Sequence, residues 1–273
     1  MPHLILIADY GSDGLASTEA ILAVRRATTT PFTVDLVATR PFNTIHTAFL
    51  LAQLHRGIPA GRGADTTFFL NTDPRTQTEN GVVAAAGAPL VIATLDTGAR
   101  VVTPNAGNCL SLVRERITAL ALAQCSAEGS QFRSRDVFPA VVGAVMDGNV
   151  AAVTGATLSL DHVPFMPPEF IVLHIDNYGN VKTSFTERDR ITLGIAWGAE
   201  IELQLGAKTM RVPVVENIFA KSAGSLVFAP GSSGDPANPG FELSLRYAGD
   251  CSASAGAVFG NPEPGSDFAV RKI

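Results

Sequence analysis

Val163-Pro-Phe-Met-Pro-Pro-Glu169 is the stretch on which the reading of the fold turns. Its three prolines fix φ and remove backbone donors, so the segment is stiff and poor at joining a sheet, as suits a domain boundary. Before it, over residues 1–165, short apolar runs alternate with helix-length segments. Leu4–Ala8, Phe32–Val37, Thr67–Leu70, Leu90–Ala93 and Val101–Thr103 read as strands. Thr18–Ala27, Thr44–Leu54 and Cys109–Ala123 carry apolar residues at helical spacing; in the last, Leu110, Val113, Ile117 and Leu120 form an ordinary core-facing stripe. This alternation predicts an α/β domain with a largely parallel sheet. Over residues 170–273 the texture changes to short alternating segments with glycine-rich turns: Phe170–Ile175, Val181–Phe185, Glu200–Leu205, Thr209–Val214, Ser225–Phe228 and Phe241–Tyr247. These predict a small all-β domain, an antiparallel barrel or sandwich, in which Gly231–Pro239 is a loop by composition.

Composition narrows the class. The 273 residues carry a net charge of −5 and no Lys/Arg cluster, which argues against a nucleic-acid partner, since neutralising phosphates takes several close cations. Cys109, Cys125 and Cys251 lie far apart, without metal-ligand or disulfide spacing, and read as buried thiols in a reducing compartment. The start of the sequence runs straight into Leu4–Ala8, and no apolar run reaches bilayer-spanning length, so the expectation is a soluble, cytoplasmic protein without a membrane partner. His3, His46, His55, His162 and His174 show no ligand spacing, which predicts no metal site. Gly61-Arg-Gly-Ala-Asp65 lacks the Lys-Ser/Thr of a phosphate loop, and Ser111, Ser130 and Ser252 lack a nucleophile-elbow context.

In open α/β sheets ligands sit beyond the carboxyl ends of the strands, so the polar residues that follow each predicted strand are the candidates. Asp9-Tyr-Gly-Ser-Asp13 follows the first strand; Asp9 suits the two hydroxyls of a ribose and Asp13 an ammonium, while the same residues also suit a helix-capping loop. Asn71-Thr-Asp-Pro-Arg-Thr-Gln-Thr-Glu-Asn-Gly81 follows the third, with Asp73 held extended by Pro74; it also reads as a solvated turn. Pro104-Asn-Ala-Gly-Asn108 places Asn108 as the N-cap of the expected Cys109 helix. Gln131-Phe-Arg-Ser-Arg-Asp-Val-Phe-Pro139 sets two guanidiniums and a hydroxyl ahead of a helix beginning near Pro139, where basic residues gain nothing from the helix dipole. In the second half, Val172–Ser184 interrupts an apolar strand with Asp176, Tyr178 and Asn180: an acceptor, a flat aromatic face and an amide, the parts needed to grip a purine nucleoside. The bland reading of that Asp-Asn-x-Gly segment is a hairpin turn.

Taken in order, Asp9-Tyr-Gly, Asp73-Pro, Pro104-Asn-x-Gly, Arg135-Asp-Val-Phe, His174-Ile-Asp-x-Tyr-Gly-Asn180 and Gly231-Ser-Ser-Gly234 resemble the S-adenosylmethionine hydroxide adenosyltransferases. That family cleaves S-adenosylmethionine to adenosine and methionine and includes the fluorinating and chlorinating enzymes. The resemblance spans nearly the whole chain, and its strongest match is the Ile-Asp-x-aromatic-Gly-Asn segment. It implies an N-terminal α/β domain, a C-terminal β-barrel, no cofactor, and a homotrimer with sites between the N-domain of one subunit and the C-domain of the next. It also implies that Asp9 binds ribose, that Phe42 stands at a pocket tryptophan, and that Asp13 is a looser match. Asp176 would face the methionine ammonium, Tyr178 and Asn180 adenine, Ser232 the methionine carboxylate, and Arg246 the adenine side.

The departures concern the chemistry. Of the family's water-activating Asp, Arg, His triad, Asp73 matches the first; Asn80 stands at the arginine's place and Arg133 at the histidine's, followed by Ser134, where the fluorinating enzyme has a halide-binding serine. The expected catalytic set is therefore Asp73, Asn80, Arg133 and Ser134, with Arg133 standing in for the missing arginine while Asp73 and Ser134 position a water or small anion. The alternatives are an adenosyl-ligand sensor or scaffold with a degenerate triad, and a structural trimer with an empty pocket.

Overall fold

The computed structural model describes residues 1–11, 14–75, 78–79, 82–83, 87–126, 128–247, 249 and 253–273, the paired residues at 78–79 and 82–83 by backbone alone. The chain divides into two compact units, Met1–Met166 and Pro167–Ile273, the division falling inside the proline-rich stretch.

The first unit runs β1 (His3–Ala8), α1 (Leu15–Ala27), β2 (Thr33–Ala38), α2 (Thr44–Arg56), β3 (Thr66–Asn71), a short hairpin β4 (Thr78–Glu79) and β5 (Val82–Val83), β6 (Leu90–Leu95), β7 (Arg100–Pro104), β8 (Ile117–Ala123), α3 (Arg133–Asp136), α4 (Phe138–Met146), α5 (Val150–Val153) and β9 (Thr154–Thr157). Its main sheet has the order β2-β1-β3-β7-β6-β8-β9. The pairings from β2 through β7 are parallel, and those from β7 through β9 are antiparallel. The sheet is thus mixed rather than largely parallel.

Alternation along β1 shows why the unit is layered. Leu4, Leu6 and Ala8 pack with Val24 of α1 and Val141, Val142 and Val145 of α4 on one face. Ile5 and Ile7 pack with Leu51 of α2 and with Leu110 and Val113 on the other. Both faces of a central strand are buried, so nearly every residue in it is apolar.

The expected Cys109 helix is absent. Ser111–Arg116 forms a 3₁₀ turn, and Ile117–Ala123 becomes β8, paired antiparallel with β6. Ile-Thr-Ala-Leu-Ala-Leu-Ala fits a two-residue period as well as a helical one, and pairing to the β6 edge decides between them. With no α-helix there, Asn108 caps none; its side-chain amide donates to Ser111 Oγ at 3.0 Å. Cys109 is buried as expected, Cys125 is exposed, and Cys251 lies outside the described residues.

The second unit contains β10 (Val172–Ile175), β11 (Val181–Thr186), α6 (Glu187–Thr192), β12 (Glu200–Leu205), β13 (Lys208–Pro213), β14 (Leu226–Asp235), β15 (Asn238–Leu245), α7 (Ala255–Val258) and β16 (Phe268–Lys272). Two antiparallel sheets form, β10-β11-β15-β14 and β13-β12-β16. Single bridges, Val214 with Phe228 and Ile171 with Asp267, link them, but the strand ladders remain two open sheets and not a closed barrel. The core between them is aromatic: Phe185, Phe228 and Phe241 meet with ring centroids 5.1–5.3 Å apart. Gly231–Pro239 is not a loop; β14 and β15 run through it, leaving Pro236 and Ala237 as the turn.

Candidate functional site

In the first unit the chain leaves β1 through α1 to β2 on one side and returns through α2 to β3 on the other. The order reverses at β1, and the crevice beyond the carboxyl ends of β1 and β3 is a topological switch point. A cleft of about 430 Å³ opens there, lined by Asp9, Tyr10, Phe42, Asn71, Asp73, Pro74, Arg75, Pro104, Gln131, Phe132, Arg133, Ser134 and Phe138. Five of the sequence-derived candidates, Asp9, Phe42, Asp73, Arg133 and Ser134, are brought together in it.

Each is held by its element's end. Asp9 follows β1, and its Oδ2 accepts the Phe42 N–H at 2.9 Å. Phe42 reaches that position with a left-handed φ of 58°, uncommon for an aromatic residue, and its ring stands exposed at the rim. Burial raises the Asp9 pKa above the ordinary carboxylate value; the Phe42 N–H opposes the shift, and the Asp73 charge adds to it. Asp73 is fastened by both oxygens: Oδ1 accepts from Arg75 N and Oδ2 from Ala88 N, each at 2.8 Å. A Cβ at Gly87 would lie 2.5 Å from Asp73 Oδ2, so this approach needs glycine. Beneath them a buried chain of hydroxyls, Thr72 to Thr47 at 2.8 Å and Thr47 to Thr39 at 3.1 Å, ties the ends of β3 and β2 to α2. The Cys109 thiol beside it is pushed up in pKa by burial and is chemically quiet.

The opposite wall comes from Gln131–Ser134. Phe132 meets the Tyr10 ring edge-on at 5.7 Å, and the Arg133 guanidinium lies over the Phe138 ring at 4.8 Å. Ser134 is 2 % exposed. Arg135 turns to Asp136 and Glu19, at 2.7 and 3.2 Å, and fastens α3 to α1. Arg75 was not singled out from sequence, yet its guanidinium bridges the walls by donating to the Gln131 carbonyl at 2.8 Å. Only the loop's path, including a φ of 53° at Arg75, reveals this. Asp13 and Asn80 lie outside the described residues.

In the second unit Asp176, Tyr178 and Asn180 share one turn, and Ser232 is joined to it through Lys182. Asp176 Oδ1 accepts the N–H groups of Tyr178 and Asn180 at 3.0 Å, and its Oδ2 accepts Asn180 Nδ2 at 3.0 Å. The Asp176 carboxylate thereby builds the turn, with Gly179 supplying the positive φ of 74°. Tyr178 is 84 % exposed. Lys182, missed from sequence, is buried with Nζ 2.7 Å from Glu242 and 3.8 Å from Asp176, and it donates to Ser232 Oγ at 3.2 Å. Its partner follows from register, since Lys182 lies opposite Glu242 across β11 and β15. Arg246 stands apart, engaged by the Lys221 carbonyl and set over Phe219. Among the described residues no group of three or more His, Cys, Asp or Glu side chains is placed to hold a metal ion, and no helix is long and apolar enough to cross a membrane.

No family model and no curated protein matches the chain. Among solved structures, an uncharacterized conserved protein from Thermotoga maritima is similar with a TM-score of 0.75 at 16 % identity, covering 98 % of this chain and 99 % of that one. A conserved hypothetical protein from Thermus thermophilus is similar with a TM-score of 0.69 at 19 % identity, covering 100 % of both. The chain thus has a mixed α/β fold shared end to end with conserved bacterial proteins, and at these identities the likeness concerns the fold alone.

Proposed function

We propose that the chain is an S-adenosylmethionine hydrolase-like enzyme, in which water or a small anion displaces methionine from the C5′ carbon. The observation that carries this reading is the convergence of Asp9, Asp73, Arg133 and Ser134 with the Tyr10, Phe42 and Phe132 rings in one cleft at the switch point. Asp9 would take the ribose hydroxyls. The sulfonium makes methionine a good leaving group, so C5′ needs an aligned, partly desolvated nucleophile and no metal or organic cofactor. With water, oxygen bonds to C5′ as the C5′–S pair returns to sulfur, releasing adenosine, methionine and one proton. Arg133 would lower the pKa of that water or attract an anion, at the cost of repelling the sulfonium; slow turnover follows. The second unit, read as a barrel-like module, would offer Asp176 to the ammonium, Ser232 to the carboxylate, and Tyr178 and Asn180 to adenine. The assembly that goes with this reading is a homotrimer whose sites draw on neighbouring subunits. Arg246, already engaged, is left out of it.

One observation favours the binding-only alternative, an adenosyl-ligand sensor. Both Asp73 oxygens are occupied by backbone N–H groups, as suits a residue that fastens a loop. Chromatography of S-adenosylmethionine incubated with the pure protein, with and without chloride or fluoride, separates the two. Adenosine or a 5′-halogenated adenosine that disappears in Asp73→Asn supports the enzyme. Tight calorimetric binding without product, unchanged in Asp73→Asn, supports the sensor, and absence of both defeats the adenosyl reading.

A further inference from the structure

Among the described residues, the buried side-chain polar atom left without a hydrogen-bond partner is the hydroxyl oxygen of Tyr10. The ring packs on the core beneath α1 and α4, and Phe132 meets it edge-on. Tyr10 and Ser134 both line the cleft. The Ser134 hydroxyl acts on the Tyr10 pKa as a hydrogen-bonding neighbour, lowering it against the effect of burial, although no partner meets full hydrogen-bond geometry at the Tyr10 oxygen. A buried hydroxyl left bare costs more than an ordinary hydrogen bond returns, and native proteins rarely leave one so without a use. Burial also drives the phenol's pKa upward, so it stays protonated and acts as a donor, not as a base.

We propose that the Tyr10 hydroxyl, beside Ser134, holds the small nucleophile of the cleft by donating a hydrogen bond to it. The inference rests on reading the cleft as a displacement site, and it adds a residue that neither the Asp73 loop nor the Arg133 segment supplies. A tyrosine follows the strand-end aspartate directly, so the hydroxyl is built into the same turn that presents Asp9.

The test uses the full chain, as wild type and Tyr10→Phe, in two arms. High-resolution crystal structures are expected to show an ordered solvent oxygen or halide within about 3 Å of Tyr10 Oη, lost in the variant. With S-adenosylmethionine as probe, kcat is expected to fall about ten-fold in Tyr10→Phe while KM stays unchanged, the mark of a group that acts on the reacting atoms. A Tyr10 hydroxyl bonded to Ser134 alone, or an unchanged kcat in the variant, overturns the proposal. If the wild type turns over nothing, the hydrolase reading fails instead, and the solvent position alone decides the role of Tyr10.

Discussion

Lys182 and His55 show how far a single side chain depends on what surrounds it. Lys182 is buried because two carboxylates and a hydroxyl compensate its charge, and Gly231 makes room: a Cβ there would lie 2.2 Å from Glu242 Oε2. His55 is buried too, with Nε2 3.0 Å from Thr97 Oγ1 and 3.4 Å from Asp96. Burial lowers its pKa below 6.5, outweighing the opposing pull of Asp96. The folded state therefore favours neutral His55, and the unfolded chain takes up the proton first as pH falls. Its contribution to stability is complete above the unfolded value and lost as pH drops from there toward the folded one. The urea midpoint of the wild type should fall between about pH 7.5 and pH 5.5 by more than that of His55→Gln. Parallel pH profiles for the two proteins would contradict this assignment.

At the scale of elements, the cleft's stability depends on α1 and α4, which pack together under β1. Gly143 of α4 sits against the end of α1, where a Cβ would come 2.4 Å from the Ala27 carbonyl oxygen. Backbone cannot yield as a side chain tip can, so Gly143→Ala should destabilise the unit by about 1–3 kcal/mol. Urea denaturation measures this, and an unchanged midpoint would mean that the two helices separate freely. Just beyond α4, Asp147 accepts from Thr29 N at 3.0 Å and Thr30 N at 3.1 Å, clamping the connection from α1 to β2. The hydroxyl of Thr28 and the Thr29 N–H hold its pKa well below the ordinary carboxylate range. Strand ends were legible in the sequence: the residues after β1 and β3 include Asp9 and Asp73, because a parallel strand stays apolar until it leaves the core. Arg75 and Lys182 were not legible, because a loop's path brings one to Gln131 and cross-strand register brings the other to Glu242. Nor was β8, whose Ala-Leu alternation satisfies both periods until an open sheet edge selects one.

For the whole molecule, the proposed reading makes one demand that neither unit meets by itself, a ligand held by Asp9 on one side and by the Asp176–Asn180 turn on the other. If neighbouring subunits supply the halves, light scattering should give three times the monomer mass. Dilution to monomers should then abolish any thermal shift with S-adenosylmethionine. A monomer that keeps the shift would refute the shared site. The sequence by itself determined what is local: the helix-and-strand alternation of the first half, the short strands of the second, the proline-rich division, and the turn at Asp176–Asn180. Those are matters of φ restriction, side-chain period and hydrogen bonds between near neighbours, all written within a dozen residues. Only the tertiary structure decided the order β2-β1-β3, the antiparallel half of the main sheet, the open sheets of the second unit, and the meeting of Tyr10, Asp73, Arg75 and Ser134. Such choices depend on which apolar faces bury each other across long stretches of chain, a free-energy comparison that no short window contains.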